Sequence, residues 1–229
     1  DRQTDRQTDR QTDRQTDRQT DRQTELSEIK LIQYVFGYAP VKLLDVAEYS
    51  KDRINATDIN TTNYIGVDNL LQNEQGKTNA KYVPTEGNLT KYSNGDVLIG
   101  NIRPYLRKIW FADCFGGTNG DVLVIRSKNN TDVMLSKFMY YVLSDERFFI
   151  YDNNNAKGAK MPRGNKNAVM EYEFYLPFIE EQERIVSILD RFDTLCNDLS
   201  AGLPAEIEAR QKQYEYYRDK LLSFKELQK

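Results

Sequence analysis

The sequence contains no histidine, which removes the commonest general base and the commonest metal ligand. It has only two cysteines, Cys114 and Cys196. Two isolated thiols make neither a disulfide scaffold nor a zinc site, and their scarcity fits a reducing, cytoplasmic setting. No apolar run approaches membrane-spanning length, so no membrane segment is expected. No signal peptide is visible, although the chain does not open on Met. An excess of positive charge is missing too. With 32 Lys and Arg against 35 Asp and Glu, the net charge of -3 excludes a uniformly basic chain that coats a polyanion, though not a local basic patch.

Catalytic motifs are equally scarce. Asp113 and Asp121 flank a turn, but no Glu-x-Lys spacing stands beside them as a nuclease cluster would require. Gly116-Gly117-Thr118-Asn119-Gly120 lacks the Lys of a phosphate loop. There is no methyl-donor glycine motif on a strand-to-helix turn. These absences point to a binding subunit without catalytic residues, metal or directly bound cofactor. A nuclease is a weak third class for want of a site.

What is present falls into three parts. Residues 1–24 are six copies of Asp-Arg-Gln-Thr, which carry no apolar side chain to build a core. Disorder is the expectation, with helix open to the repeat if a neighbouring helix supports it. The genetic code allows the peptide to be written as repeated GACA units, which read the same peptide in every forward frame. A slippage-prone tract that varies which frame follows it is one explanation; an engineered tag is the other.

Residues 25–177 read as a mixed strand-and-helix domain. Val41–Val46 is a short apolar run. Tyr64–Val67, Asp96–Gly100, Ile109–Phe111, Asp121–Arg126 and Tyr172–Pro177 are predicted strands, and Cys114–Gly120 a glycine-rich turn. Asp132 is the predicted cap of a helix over Val133–Leu143, with a possible extension over Ser144–Phe149. Asp152–Asn167 is predicted to be a polar loop. Trp110 reads as structural.

Two segments have the chemistry of polyanion contact. The first, Asn101 to Lys108, follows a strand and places Arg103, Tyr105, Arg107 and Lys108 around a stiffening Pro104. Arginine can clamp phosphate or read guanine, and an ordinary solvated connection is the alternative. The second, Lys157 to Lys166, carries Lys157, Lys160, Arg163 and Lys166 with no acid, and its glycines allow close backbone approach. An exposed loop is the bland reading of it. Tyr34, Tyr49, Tyr82 and Tyr105, with the Lys residues beside some of them, could stack or reach phosphate, with core or rim packing the alternative for most.

Residues 178–229 are predicted to be helical. Ile185, Ile188, Leu189, Phe192 and Leu195 recur at three-and-four spacing, and a second series runs Ile207, Tyr214, Tyr217, Leu221, Phe224 after Pro204 restarts the helix. Such stripes must be buried, either by folding back on the domain or by pairing with helices of another half or subunit. The fold class is therefore α+β: a mixed domain followed by a long helical, coiled-coil-like arm.

Several of these stretches resemble one family. Pro177-Phe178-Ile179-Glu180-Glu181-Gln182-Glu183-Arg184-Ile185-Val186 resembles the junction between target-recognition domain and helical spacer in specificity (S) subunits of type I restriction–modification systems. Gly202–Phe224 resembles the later part of that spacer. Gly95-Asp96-Val97-Leu98-Ile99 followed by Arg103–Lys108 resembles the middle of a recognition domain. The likeness spans Val41 to Lys229 and covers one half of such a subunit. It implies a non-catalytic subunit that recognises double-stranded DNA and directs adenine methylation and cleavage by its partners. Methyltransferase (M) subunits would use S-adenosylmethionine, and a restriction (R) subunit would use ATP and Mg. The half would pair with a second S half or with itself. A protein-assembly module, or an inactive half-subunit without independent DNA recognition, is the competing class.

Overall fold

The computed structural model describes residues 26–128 and 133–194. The Asp-Arg-Gln-Thr repeat, the Asp132 cap, and Leu195, Ile207, Tyr214, Tyr217, Leu221 and Phe224 lie outside the described residues. The chain divides into two compact units, one ending at Glu183 and one beginning at Arg184.

The first unit opens with a helix over residues 26–36 (α1), which buries Ile29 and Gln33. Three sheets follow. Strands β1 (Tyr38–Lys42) and β10 (Glu173–Pro177) pair antiparallel, so the strand that enters the domain lies beside the one that leaves it. A four-stranded sheet runs in the order β2 (Ala47–Tyr49), β9 (Val122–Ser127), β6 (Val97–Gly100), β7 (Ile109–Phe111). A second runs β3 (Arg53–Asn55), β5 (Asn88–Tyr92), β8 (Gly116–Thr118), β4 (Tyr64–Ile65), with β4 and β8 parallel.

The apolar runs explain the central strands. All four residues of β6 are buried, so both of its faces are covered and its sequence does not alternate. Leu98, Val122 and Val124 pack with Ile65, Leu70, Tyr92 and Trp110 in one core cluster. Each full burial of a large apolar side chain contributes about 1.5–3 kcal/mol. Trp110, 8% exposed, meets Tyr92 edge-on at 5.8 Å, in agreement with its structural reading.

Helix α2 (Leu43–Val46) follows β1, and α3 (Ser136–Ser144) packs on β6, β7 and β9 with Phe138, Met139 and Leu143 buried. Asp145 ends α3, and its carboxylate caps α4 (Glu146–Asn155) at the Arg147 amide. The helical extension therefore continues to Asn155, further than its predicted end at Phe149. Asn165 caps a short α5 (Lys166–Met170). The stretch predicted as a loop from Asp152 is thus helical at both ends.

The glycine-rich turn over Cys114–Gly120 is instead strand β8 in part. Its glycines are there for packing. A Cβ at Gly116 would land on the Asn63 carbonyl oxygen and the Tyr92 phenol, so the strand lies flush against both.

Residues 179–194 are helical (α6). Gln182 is fully buried at its start. Its amide nitrogen donates to Val133 O (2.7 Å) and Pro177 O (2.8 Å), and its oxygen accepts from Leu135 N (2.9 Å). Gln33 of α1 donates to the same Pro177 carbonyl at 3.0 Å and to Leu176 O at 3.1 Å. In the second unit, described over 184–194, Ile188 and Phe192 are exposed and Ile185 and Leu189 half-buried.

Candidate nucleic-acid interface

The two basic segments, some sixty residues apart in sequence, meet in space. Ile102 and Arg163 form a β-bridge. The Arg103 amide donates to Pro162 O at 2.7 Å, and the Gly164 amide to Asn101 O at 3.0 Å. Lys157 and Arg163 exchange both backbone hydrogen bonds at 2.9 Å, closing the second segment into a tight loop. Gly158, at φ 103°, makes the reversal that a side chain would resist. Lys157, Lys160, Arg163 and Lys166 are all exposed on it. Arg163 lies 3.2 Å from Asp121, an open surface pair of little energetic weight.

The first segment is a 3-10 turn, Pro104–Leu106, between two residues in the left-handed region, Arg103 (φ 55°) and Arg107 (φ 51°). Non-glycine residues occupy that region at a cost of about 1–3 kcal/mol each and need support from their surroundings. Support comes from both sides. Pro162 O holds Arg103, while the amides of Asn73 and Glu74 donate to Leu106 O and Arg107 O, each at 3.0 Å.

That architecture assigns the side chains. Arg103 and Tyr105 are exposed. Arg107 turns inward, paired with Glu74 and lying 5.7 Å over the Phe149 ring. The Lys108 ammonium donates to Val67 O at 2.6 Å, and burial pulls its pKa below the usual value. Asn101 is 6% exposed. Of the nine predicted contact residues, Arg103, Tyr105 and the four cations of the loop lie at the surface, while Asn101, Arg107 and Lys108 are engaged within the fold.

Beside this surface is a groove of about 740 Å³. Asn79, Lys81, Tyr82, Arg103, Asn119 and Met161 line it. Tyr82 is 82% exposed, an unusual state for a large ring in a folded domain, and Met161 is 50% exposed. Amides can pair with adenine, a guanidinium with guanine, and an exposed ring or thioether with base faces or methyl groups. Asn79 and Asn119 are not among the predicted contact residues, and they come from irregular stretches without periodicity. Tyr82 with the neighbouring Lys81, and Met161 inside the second basic segment, carried the signal that the sequence offers for this groove.

Asp152 sits beneath the junction of the two segments, 1% exposed. Burial pushes its carboxyl up to about 6. Burial also raises the pKa of Tyr49, whose hydroxyl donates to Lys166 O at 2.9 Å.

Residues 37–209 match the family model for the type I restriction modification DNA specificity domain. The chain is 43% identical over 91 residues to the specificity subunit of the Escherichia coli type I restriction enzyme EcoR124I/EcoR124II, covering 40% of this chain and 22% of that protein. It is 31% identical over 136 residues to the specificity subunit of the type I restriction enzyme MpnII of Mycoplasma pneumoniae, covering 59% of this chain and 39% of the relative. The chain therefore spans well under half the length of these relatives. Among solved structures, the HsdS subunit from Thermoanaerobacter tengcongensis superimposes with a TM-score of 0.59 at 21% identity, over 78% of this chain and 47% of that one. At that identity the likeness concerns the fold.

Proposed function

The chain belongs to the type I restriction–modification DNA specificity family, and on that premise we propose that it is a non-catalytic DNA-recognition subunit. Its first unit reads duplex DNA with the surface where residues 101–108 and 157–166 join. The observation that carries this reading is the joining itself. Arg103 of the first segment and the four exposed cations of the second are brought by the Ile102–Arg163 bridge onto one exposed face beside a groove. Lys157, Lys160, Arg163 and Lys166 hold phosphates and set register. Arg103, Tyr82, Asn79 and Asn119 stand at the groove, where base edges are read.

Residues 178–229 serve as the helical spacer, a coiled-coil-like arm whose apolar stripes pair with a second S half or a second copy and dock methyltransferase (M) subunits. Methylation with S-adenosylmethionine, and ATP- and Mg-dependent cleavage by a restriction (R) subunit, belong to those partners, in the cytoplasm. The exposure of Ile188 (38%) and Phe192 (60%) supports an arm with more surface to cover. The Asp-Arg-Gln-Thr tract fits phase variation by repeat slippage. Each added four-residue unit, if helical, would lengthen the arm by about 6 Å.

Co-expression with a cognate M subunit and genome-wide mapping of methylated adenines tests the assignment. The expected result is methylation at one split motif that changes or vanishes when Arg103 and Tyr82 are replaced by Ala. Methylation of the same motif by the double variant would overturn the groove as the reading surface.

A further inference from the structure

Two buried side chains with unpartnered acceptors, Asn101 and Asp152, lie on either side of Gly164 where the basic segments join. Neither Asn101 Oδ1 nor either carboxylate oxygen of Asp152 receives a hydrogen bond. Both converge on the α-carbon of Gly164. A methyl group there would lie 2.7 Å from Asn101 Oδ1 and 2.7 Å from Asp152 Oδ1, so the two acceptors are no more than twice that distance apart. Two unpaired acceptors close together in a dry site are unfavourable unless one side presents a donor, the carboxyl by taking up a proton or Asn101 by turning its amide.

We propose that Asp152 is a positioning residue that works in its protonated form, its carboxyl O–H donating to Asn101 Oδ1 and so fastening residues 157–164 to residues 101–103. Glycine at 164 is required because the proton bridge occupies the space of a side chain. The backbone bonds Gly164 N to Asn101 O and Arg103 N to Pro162 O ride on the same junction. The effect on DNA rests on the function proposed above, whereas the bridge itself does not.

The neighbouring groups leave the proton as the balancing element. From β2, Tyr49 faces Asp152 with its hydroxyl committed to Lys166 O, and Tyr151 of the same helix donates to Ala168 O at 3.1 Å. Burial keeps both phenols neutral. Of the cations on adjoining elements, Arg107 is paired with Glu74 and Arg163 with Asp121, and Lys166 is exposed. Burial accordingly raises Asp152 to about 6, above the ordinary carboxyl value near 4. A raised carboxyl stabilises the closed junction fully below about pH 4, and this contribution is lost as pH rises through about 6. With no histidine in the chain, no other side chain ordinarily titrates between pH 5 and 7. Asp52 and Asp145 are shifted the opposite way, by Arg126 and Arg147.

Amide hydrogen exchange on the full chain between pH 5 and 8, corrected for intrinsic rates, tests this alongside a carbon-13 titration of the Asp152 carboxyl. Segments 101–108 and 157–164 are expected to lose protection by about ten-fold between pH 5 and 7. Asp152→Asn, whose amide donates at every pH, should stay protected and flat, and Asp152→Ala should be loose and flat. A flat wild-type profile, or a carboxyl midpoint near 4, overturns the proposal, and both are read on the wild type even if a variant fails to fold. Anisotropy with a 40-base-pair random-sequence duplex at fixed salt separates the two readings. Affinity that follows protection supports both. Protection that varies as expected without binding at any pH retains the bridge and sinks DNA contact by this surface.

Discussion

Residue by residue, much of the specificity in this fold is held by polar groups in places the sequence does not advertise. Arg126 binds Asp96 through two nitrogens, at 2.9 and 2.8 Å, and Asp52 through a third at 2.7 Å. Asp96 also accepts from the Ser93 amide at 2.8 Å, which closes the Asn94-Gly95 turn ahead of β6. The Asp96 side chain is 3% exposed. Asp96→Ala should therefore cost about 3 kcal/mol, the low end for breaking a buried pair because Arg126 keeps Asp52. A urea titration would register it as a fall in midpoint at unchanged slope. Gly116→Ala is the steric counterpart. Its methyl would meet backbone at Asn63, which cannot swing aside as a side-chain tip can, so a loss of at least about 1–3 kcal/mol is expected in the same measurement. Arg107 and Lys108 mark the limit of reading single residues. Their charge was legible, but their direction was not, because the partner of Arg107 stands 33 positions away at Glu74 and that of Lys108 is a carbonyl 41 positions away.

Among the elements, the strands built on consecutive apolar residues were the legible ones. The runs Val97-Leu98-Ile99, Ile109-Trp110-Phe111 and Val122–Ile125 are apolar on consecutive residues and fold as β6, β7 and β9. Strand β8 was not legible, because Gly116 and Gly117 have the composition of a turn and their reason for being glycine is the proximity of Tyr92, Asn63, Ile54 and Leu89. The three-residue edge strands β2 and β3 carry too short a pattern for any period to show. For the loop element, replacing Lys157, Lys160, Arg163 and Lys166 together by Gln should lower duplex affinity across sequences. It should also flatten the log–log salt dependence by about 0.9 for each phosphate that is no longer neutralised. An unchanged slope would remove the loop from the DNA-binding surface. For the start of α6, Gln182→Ala strips its partner from the buried Val133 carbonyl and from the Leu135 amide, and leaves the Pro177 carbonyl with Gln33 alone. A destabilisation of about 1–3 kcal/mol by thermal or urea unfolding is expected.

For the whole molecule, the proposal of one recognition unit and one arm raises the question of symmetry. If two copies pair about a two-fold axis, both units read the same half-site in inverted orientation, and the methylated target is a split palindrome. If the partner is a different S half, the two parts of the target differ. Methylome mapping with this chain as the sole S polypeptide distinguishes the cases: a palindromic motif indicates self-pairing, and loss of methylation indicates need of a second half. The helix under Ile185, Ile188, Leu189 and Phe192 was legible from their spacing. Its partner was not, since a periodic apolar face states that it is covered and not by what.

The closing of β1 on β10, with Gln33 and Gln182 sharing the Pro177 carbonyl, gives the recognition unit a single narrow neck through which the polypeptide goes in and comes out. A different body set between the same two strands would enter and leave at one place, and it would have to offer Gln182 the partners that Val133 O and Leu135 N supply here.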